Sequence, residues 1–210
     1  MNSKNKLNRF TTLPVLLDIL INRRLVLLDP ESWPDRNDSK TLVDYKKRQN
    51  LEKLFALCFA ECSETIHHWN SYADGISGCC IEFNKEKLKK HLSNFAGLRF
   101  ESVDYKTFEQ LESGCRDDQQ TPFTKRWAYH IEDEFRVIWE SKKSNLDCYI
   151  IDGIDLEIIQ KITFSQKMPE PIFQTVQSHL VNCFHISKEK INHSTILENQ
   201  VWIAHFGQHS

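Results

Sequence analysis

The stretch from Ile131 to Trp139, IEDEFRVIW, carries two carboxylates and a guanidinium at alternate positions. Read as a β-strand, whose side chains alternate between faces, it puts Glu132, Glu134 and Arg136 on one side and Asp133, Phe135, Val137 and Trp139 on the other. Two acids about 6.5 to 7 Å apart on one face suit a catalytic floor, with one carboxylate working electrostatically and the other orienting or deprotonating a reactant. Like charges that close push one pKa upward unless a cation offsets them, so Arg136 reads as support rather than as a catalyst. The competing reading is a water-facing sheet surface, where an E-x-E-x-R run makes cross-strand ion pairs worth about 0 to 1 kcal/mol each.

Positioning such a floor falls to a mixed order of elements without strict βαβ alternation, an α+β class. Leu7 to Thr11 reads as extended, and Thr12 as the cap of a helix starting at Leu13-Pro14. LVLL (25–28) is a buried strand. The loop DPESWPDRNDSK ends where Asp38 or Ser39 would cap a helix over Leu42 to Leu51. LFALCFAE is an apolar run of strand length that belongs in the middle of a sheet. Ser63 opens the helix SETIHHWNSYA, Gly75 and Gly78 turn the chain into the strand GCCIEF, and a Lys-rich helix follows. LRFESVDY reads as a half-exposed strand, Thr121-Pro122 as the start of a helix PFTKRWAYHI, and QVWIAHF near the end as extended. The loops near Asp35–Lys40 and Ser113–Gln120 are loose enough to border a cleft.

With 210 residues and 24.8 kDa, one domain over 1–210 is expected. The balance of 27 basic against 29 acidic side chains, a net −2, demands no polyanionic partner. No run approaches the roughly 18 apolar residues of a membrane span, and the N-terminus lacks a signal-type apolar core, so a cytoplasmic protein without membrane contact is expected. The seven cysteines (58, 62, 79, 80, 115, 148, 183) form no C-x-x-C pair and sit mostly in apolar runs, which points to reduced, buried thiols. Cys58, Cys62 and the His67-His68 pair fit no ordinary zinc spacing, and no metal is expected. The six glycines form neither G-x-G-x-x-G nor a P-loop, and G-x-S-x-G and H-E-x-x-H are absent.

Three stretches, NRFTTLPVLLDILINRRLVLLDPESWPDRND, LCFAECSETIHHWNSYADGISGCCIEF and TKRWAYHIEDEFRVIW, resemble in order and spacing the bacterial domain-of-unknown-function family twenty-nine seventy-one, and the tail resembles that family's ending. More loosely, a basic opening strand, a central aromatic-hydroxyl element and a late E-x-E strand resemble the three dispersed motifs of ADP-ribosyltransferases. That resemblance implies a split, mostly antiparallel sheet flanked by short helices, NAD as substrate in a cleft, and transfer of ADP-ribose to a protein or nucleic acid. It further implies a toxin or anti-phage effector with a neutralising partner. The alternatives are a non-enzymatic nucleotide- or protein-binding module and a nucleotide hydrolase that uses the glutamate pair with water.

Carried onto this chain, the first motif falls on Arg9, the second on Ser71 and Tyr72, and the third on Glu132 and Glu134; SYA departs from Ser-x-Ser, and Arg9 stands where the toxin type has His. Glu134 would steady the ribose cation and Glu132 would orient or deprotonate the acceptor. Arg9 would hold the pyrophosphate, while Tyr72 would stack on nicotinamide in a pocket shaped by Ser71 or Trp69. Each has a plainer reading: Arg9 as a surface arginine, and Trp69 and Tyr72 as the i, i+3 anchors of a helix. His67 and His68 read as exposed helix residues, Asn37-Asp38 as a cap, and Lys125, Arg126 and His130 as a solvated helix face.

Overall fold

A computed structural model of the chain describes residues 5–114 and 117–207. It is an α+β fold built on one large, mostly antiparallel sheet flanked by helices. In chain order the elements are β1 (Lys6–Thr12), α1 (Leu13–Asn22), β2 (Leu25–Leu27), α2 (Arg36–Arg48), β3 (Lys53–Ala60), α3 (Ile66–Tyr72), β4 (Gly78–Asn84), α4 (Lys85–Leu92), β5 (Leu98–Ser102), β6 (Asp104–Lys106), α5 (Phe108–Ser113), β7 (Thr124–Arg126), β8 (Glu134–Ser141), β9 (Tyr149–Ile151), β10 (Ile159–Phe164), α6 (Glu170–Phe184), β11 (Ile191–His193) and α7 (Gln200–Gly207). Seven strands run β11-β10-β4-β1-β3-β8-β5, and within that sheet only β10 and β11 pair in parallel. The strand pairs β2-β9 and β6-β7 stand apart. Among the described residues no helix is long and apolar enough to cross a membrane.

The sheet is split at its middle. β4 pairs along all of β1, from Lys6 with Asn84 to Thr12 with Gly78, and β8 pairs along all of β3. Between β1 and β3 the register holds just Asn8 with Ala60. Farther along β3 the same edge, the one not paired with β8, is met by Leu28, which exchanges backbone hydrogen bonds with Ala56. Between those two anchors the strands part. Backbone groups left without a ladder must find other partners: the Arg9 guanidinium donates to the Cys58 carbonyl at 2.9 Å, and the Asn8 amide donates to the Cys62 carbonyl at 2.6 Å.

Period-two alternation explains why the gap stays open. Phe55, Leu57 and Phe59 of β3 point into the main core, together with Phe135 and Val137 of β8, Leu7, Ile81, Phe83 and the buried faces of α1 and α4. Beyond Leu54, the opposite face of β3 carries Ala56, Cys58 and Ala60, side chains too small to fill the space above them. A second small cluster of Phe10, Ala60, Trp69, Ala73 and Cys80 fastens α3 over this face.

Several expectations are corrected. β8 starts at Glu134, not at Ile131: Trp127–Glu132 is a 3-10 turn, and Asp133 reverses the chain in the left-handed region at φ 44°. PFTKRWAYHI is therefore no helix but two 3-10 turns around β7, which pairs in parallel with β6. QVWIAHF is helical rather than extended. The long helix after the first loop begins at Arg36 with Asp35 as its cap, accepting from the Asn37 and Asp38 amides, so Asp38 lies inside the helix; α3 is capped by Thr65, not Ser63. Cys115 lies outside the described residues.

Gly78 couples α3 to β4. A Cβ there would lie 1.8 Å from the Ala73 carbonyl oxygen, backbone that cannot swing aside. Gly78→Ala is expected to cost at least the roughly 1–3 kcal/mol of an overpacked core and to loosen α3 from the sheet. Thermal unfolding checks this, and an unchanged melting temperature would show that the close approach is not required.

Candidate functional site

The gap opens into a cleft of about 580 Å³. One wall is apolar, from Val26, Leu28, Trp33, Pro34 and Ala56; the other carries Arg9, His67, Ser71, Tyr72, Lys125, Glu132 and Glu134.

At the floor, acids and bases alternate in a chain of direct contacts. Arg136, with no exposed surface, holds Glu134 through Nε to Oε1 at 2.6 Å and Nη2 to Oε2 at 3.0 Å. The same guanidinium holds Asp38 through Nη1 to Oδ1 at 3.0 Å and Nη2 to Oδ2 at 2.6 Å, and donates to the Pro122 carbonyl at 2.9 Å. Its plane lies 5.3 Å from the centre of the Trp33 ring. The Lys125 ammonium comes next, 2.5 Å from Glu132, 3.4 Å from Glu134, 3.6 Å from Asp38 and 3.9 Å from Asp35. It sits among four carboxylates, and among the described residues no metal-holding cluster of His, Cys, Asp and Glu is found. Glu132 closes the chain: its Oε1 accepts from the Tyr72 hydroxyl at 2.6 Å and lies 3.4 Å from His67 Nε2, while its backbone carbonyl accepts from His68 Nε2 at 3.1 Å.

Burial of charge is tolerated only when the charges are paired, and here the pairing fixes the protonation states. Burial alone would raise the Glu134 carboxyl, but Arg136, with Lys125 behind it, holds it down to about 2, so it is a permanent carboxylate. Burial, then the neighbouring Glu132, push the Tyr72 phenol up, so it stays a donor. Burial would lower the Lys125 ammonium, yet Glu134, Asp38 and Glu132 outweigh it and hold the charge. Burial lowers His68, whose ring is stacked on Phe10 at 4.7 Å and neutral, with Nε2–H given to Glu132 and Nδ1 accepting from the Thr65 hydroxyl.

The structure thus brings Arg9, Ser71, Tyr72, Glu132 and Glu134 to one cleft, although they span most of the chain. Trp69 is corrected: its ring lies outside the cleft lining, meets Phe10 edge-on at 5.5 Å and donates to Glu64 at 2.9 Å, the plain anchoring role. The water-facing reading of the E-x-E-x-R run is overturned, because β8 is interior to the sheet and Glu132, Glu134 and Arg136 are each at most 5% exposed. Lys125 is no solvated helix residue, and His68 is buried while His67 lines the cleft. Sequence reasoning missed Asp35, Asp38, Lys125 and the two histidines as neighbours of the glutamates. Only the proximity of Lys125 to Glu132 along the chain could have hinted at the cluster.

Residues 68–137 match the model of a family described as "Protein of unknown function (DUF2971)". That span holds Ser71, Tyr72, Lys125, both glutamates and Arg136 but only about a third of the chain, narrower than the resemblance read from the sequence, and it leaves Arg9 outside. No curated protein matches. Among solved structures the chain is similar to "Thermus sp. 2.9 DarT in complex with ADP-ribosylated ssDNA", at 13% identity and a TM-score of 0.43, over 91% of this chain and 94% of that one.

The carboxyl of Glu134 moves from an ordinary 4.5 to about 2 on folding, so it binds fewer protons in the folded state than unfolded. Its contribution to stability is complete above pH ~4.5 and is lost as pH falls through ~2, on the order of 3 kcal/mol in all. Denaturant titrations between pH ~5 and ~2 should show the wild type losing that much more stability than Glu134→Gln. Matching acid slopes would mean that the carboxylate is not held by Arg136.

Proposed function

We propose that this cleft binds NAD, breaks its nicotinamide–ribose bond and passes ADP-ribose to a protein or nucleic acid. The observation that carries this reading is the convergence of Arg9, Tyr72 and an ionised Glu134 in one cleft at the split of the sheet. Nicotinamide is attached as a pyridinium and departs neutral, taking the bonding electrons, so it needs no proton from the enzyme. The requirement is negative charge against the ribose as C1′ becomes cationic. A carboxylate held near 2 meets that requirement, and it is a poor general acid. Hydrolysis of a glycoside with a poor leaving group needs a carboxyl raised toward neutrality instead, which counts against the hydrolase alternative.

The remaining groups fit the same ligand. Arg9 offers a planar guanidinium to the pyrophosphate. The half-exposed Tyr72 ring, with Ser71 beside it, offers a face to nicotinamide, and the apolar wall with Trp33 takes a flat heterocycle. Turned on cellular macromolecules, such an activity is that of a toxin or anti-phage effector, for which a neutralising partner is a natural complement. One observation favours a second reading, a nucleotide-binding module without turnover: both oxygens of Glu132 and of Glu134 are already engaged by side chains.

Melting curves with NAD, paired with an assay of nicotinamide release, separate the readings. NAD is expected to raise the melting temperature of wild type and Glu134→Gln alike, while release falls about 100-fold or more in the variant, and with it any toxicity on expression. Binding without release by either protein would leave the binding module standing; no shift with NAD would contradict both.

A further inference from the structure

The proposed transfer leaves one task unassigned, removal of the proton from the attacking group. The floor groups differ in depth. The side chains of Glu134, Lys125 and Glu132 are only 5–6% exposed, whereas that of His67 is 33% exposed and Tyr72 is 46% exposed overall. A donor ribose drawn onto Glu134 therefore lies deep, and an acceptor arriving from solvent meets His67 and Tyr72 first.

Most groups of the cleft cannot take that proton. Tyr72 is a hydrogen-bond donor to Glu132 whose phenol is pushed further from ionisation. His68 has both ring nitrogens engaged, by Thr65 and by the Glu132 carbonyl. Glu132 already takes the Lys125 ammonium, the Tyr72 hydroxyl and the His67 ring. Glu134 is too weak a base. His67 is different. Its Nε2 lies 3.4 Å from the Glu132 carboxylate, which can only accept, so Nε2 carries the hydrogen and Nδ1 carries the lone pair.

We infer that His67 is the general base of the transfer, its ring held by Glu132; this rests on the NAD reading above. As the acceptor oxygen or nitrogen forms its bond to ribose C1′, the C1′–N1 bond breaks and its electrons go to nicotinamide, which leaves neutral. The acceptor's proton passes to His67 Nδ1, and the imidazolium so formed is paired with Glu132. The charged and titratable groups facing the ring are Glu132, Tyr72 and His68, the last two with ring centres 6.1 and 6.0 Å away, and Lys125 beyond the Glu132 carboxylate. An imidazolium cannot accept a second proton, so activity is lost on the acid side.

The test is the pH profile of nicotinamide release from NAD, with water as acceptor, for the full chain and for His67→Gln and Glu134→Gln. His67→Gln retains a donor to Glu132 and is expected to fold and to show the wild-type thermal shift with NAD. Its release should fall about 100-fold, its acid limb should vanish, and free imidazole should restore part of the rate in this variant but not in the wild type. A His67→Gln protein that keeps the wild-type rate, or that slows yet keeps the acid limb and ignores imidazole, overturns the assignment while an inactive Glu134→Gln leaves the NAD reading intact. Absence of release by the wild type at every pH overturns that reading and this one together.

Discussion

A guanidinium with no exposed surface, bonded on both edges to carboxylates from elements far apart in the chain, is the constraint on which this structure rests. Arg136 joins β8 to α2 through Asp38, to the 3-10 turn at Pro122 through its carbonyl, and to the first residue of its own strand through Glu134. Taking an ion out of water costs several kcal/mol unless every lone pair and proton is met, and a half-met cluster is worse than an apolar core. Trp33, lying against the guanidinium, closes the site further. The cluster thus holds α2 and the segment before β8 against the sheet and keeps Glu134 ionised.

Space for a ligand comes from a second economy, the small residues of β3. A strand whose core face carries Phe55, Leu57 and Phe59 and whose other face carries Ala56, Cys58 and Ala60 can be fully buried on one side and leave room on the other. The nearly unpaired edge between β1 and β3 turns that room into a cleft rather than a sealed void, at the cost of ladder hydrogen bonds that Asn8 and Arg9 replace from their side chains. Arg9 is thereby part of the split as well as part of the lining. Arg9 on β1 and Glu134 on β8 thus face the cleft from opposite halves of the sheet.

Most strands and the principal helices were legible, because their signals are local: the apolar runs of β3 and β4, the Thr-Leu-Pro start of α1, the Lys-rich α4. The alternation of β8 was right from Glu134 onward. Read from the sequence it extends too far back, since nothing local reveals that Asp133 adopts a left-handed conformation that throws Glu132 onto a turn. Glu132 still faces the cleft, held there by Lys125 and Tyr72 rather than by strand periodicity. The segment 124–126 reads as helical in the sequence because its β partner, 104–106, is known only once the chain is folded. For the same reason Lys125 reads as solvent-facing and Asp38 as no more than a helix cap, since burial of a charge depends on partners that a single sequence does not pair.

Depth separates the two buried glutamates from His67 and Tyr72 and gives the cleft a direction, from an anionic floor at Glu132 and Glu134 to an open mouth. The most direct test is a crystal structure of the protein with a carbocyclic, non-hydrolysable NAD analogue. The account predicts the nicotinamide-bearing ring with its 2′-hydroxyl on Glu134, the pyrophosphate beside Arg9 and the reactive carbon facing the mouth. An analogue bound outside the split, or seated there with its ring turned away from Glu134, would contradict it.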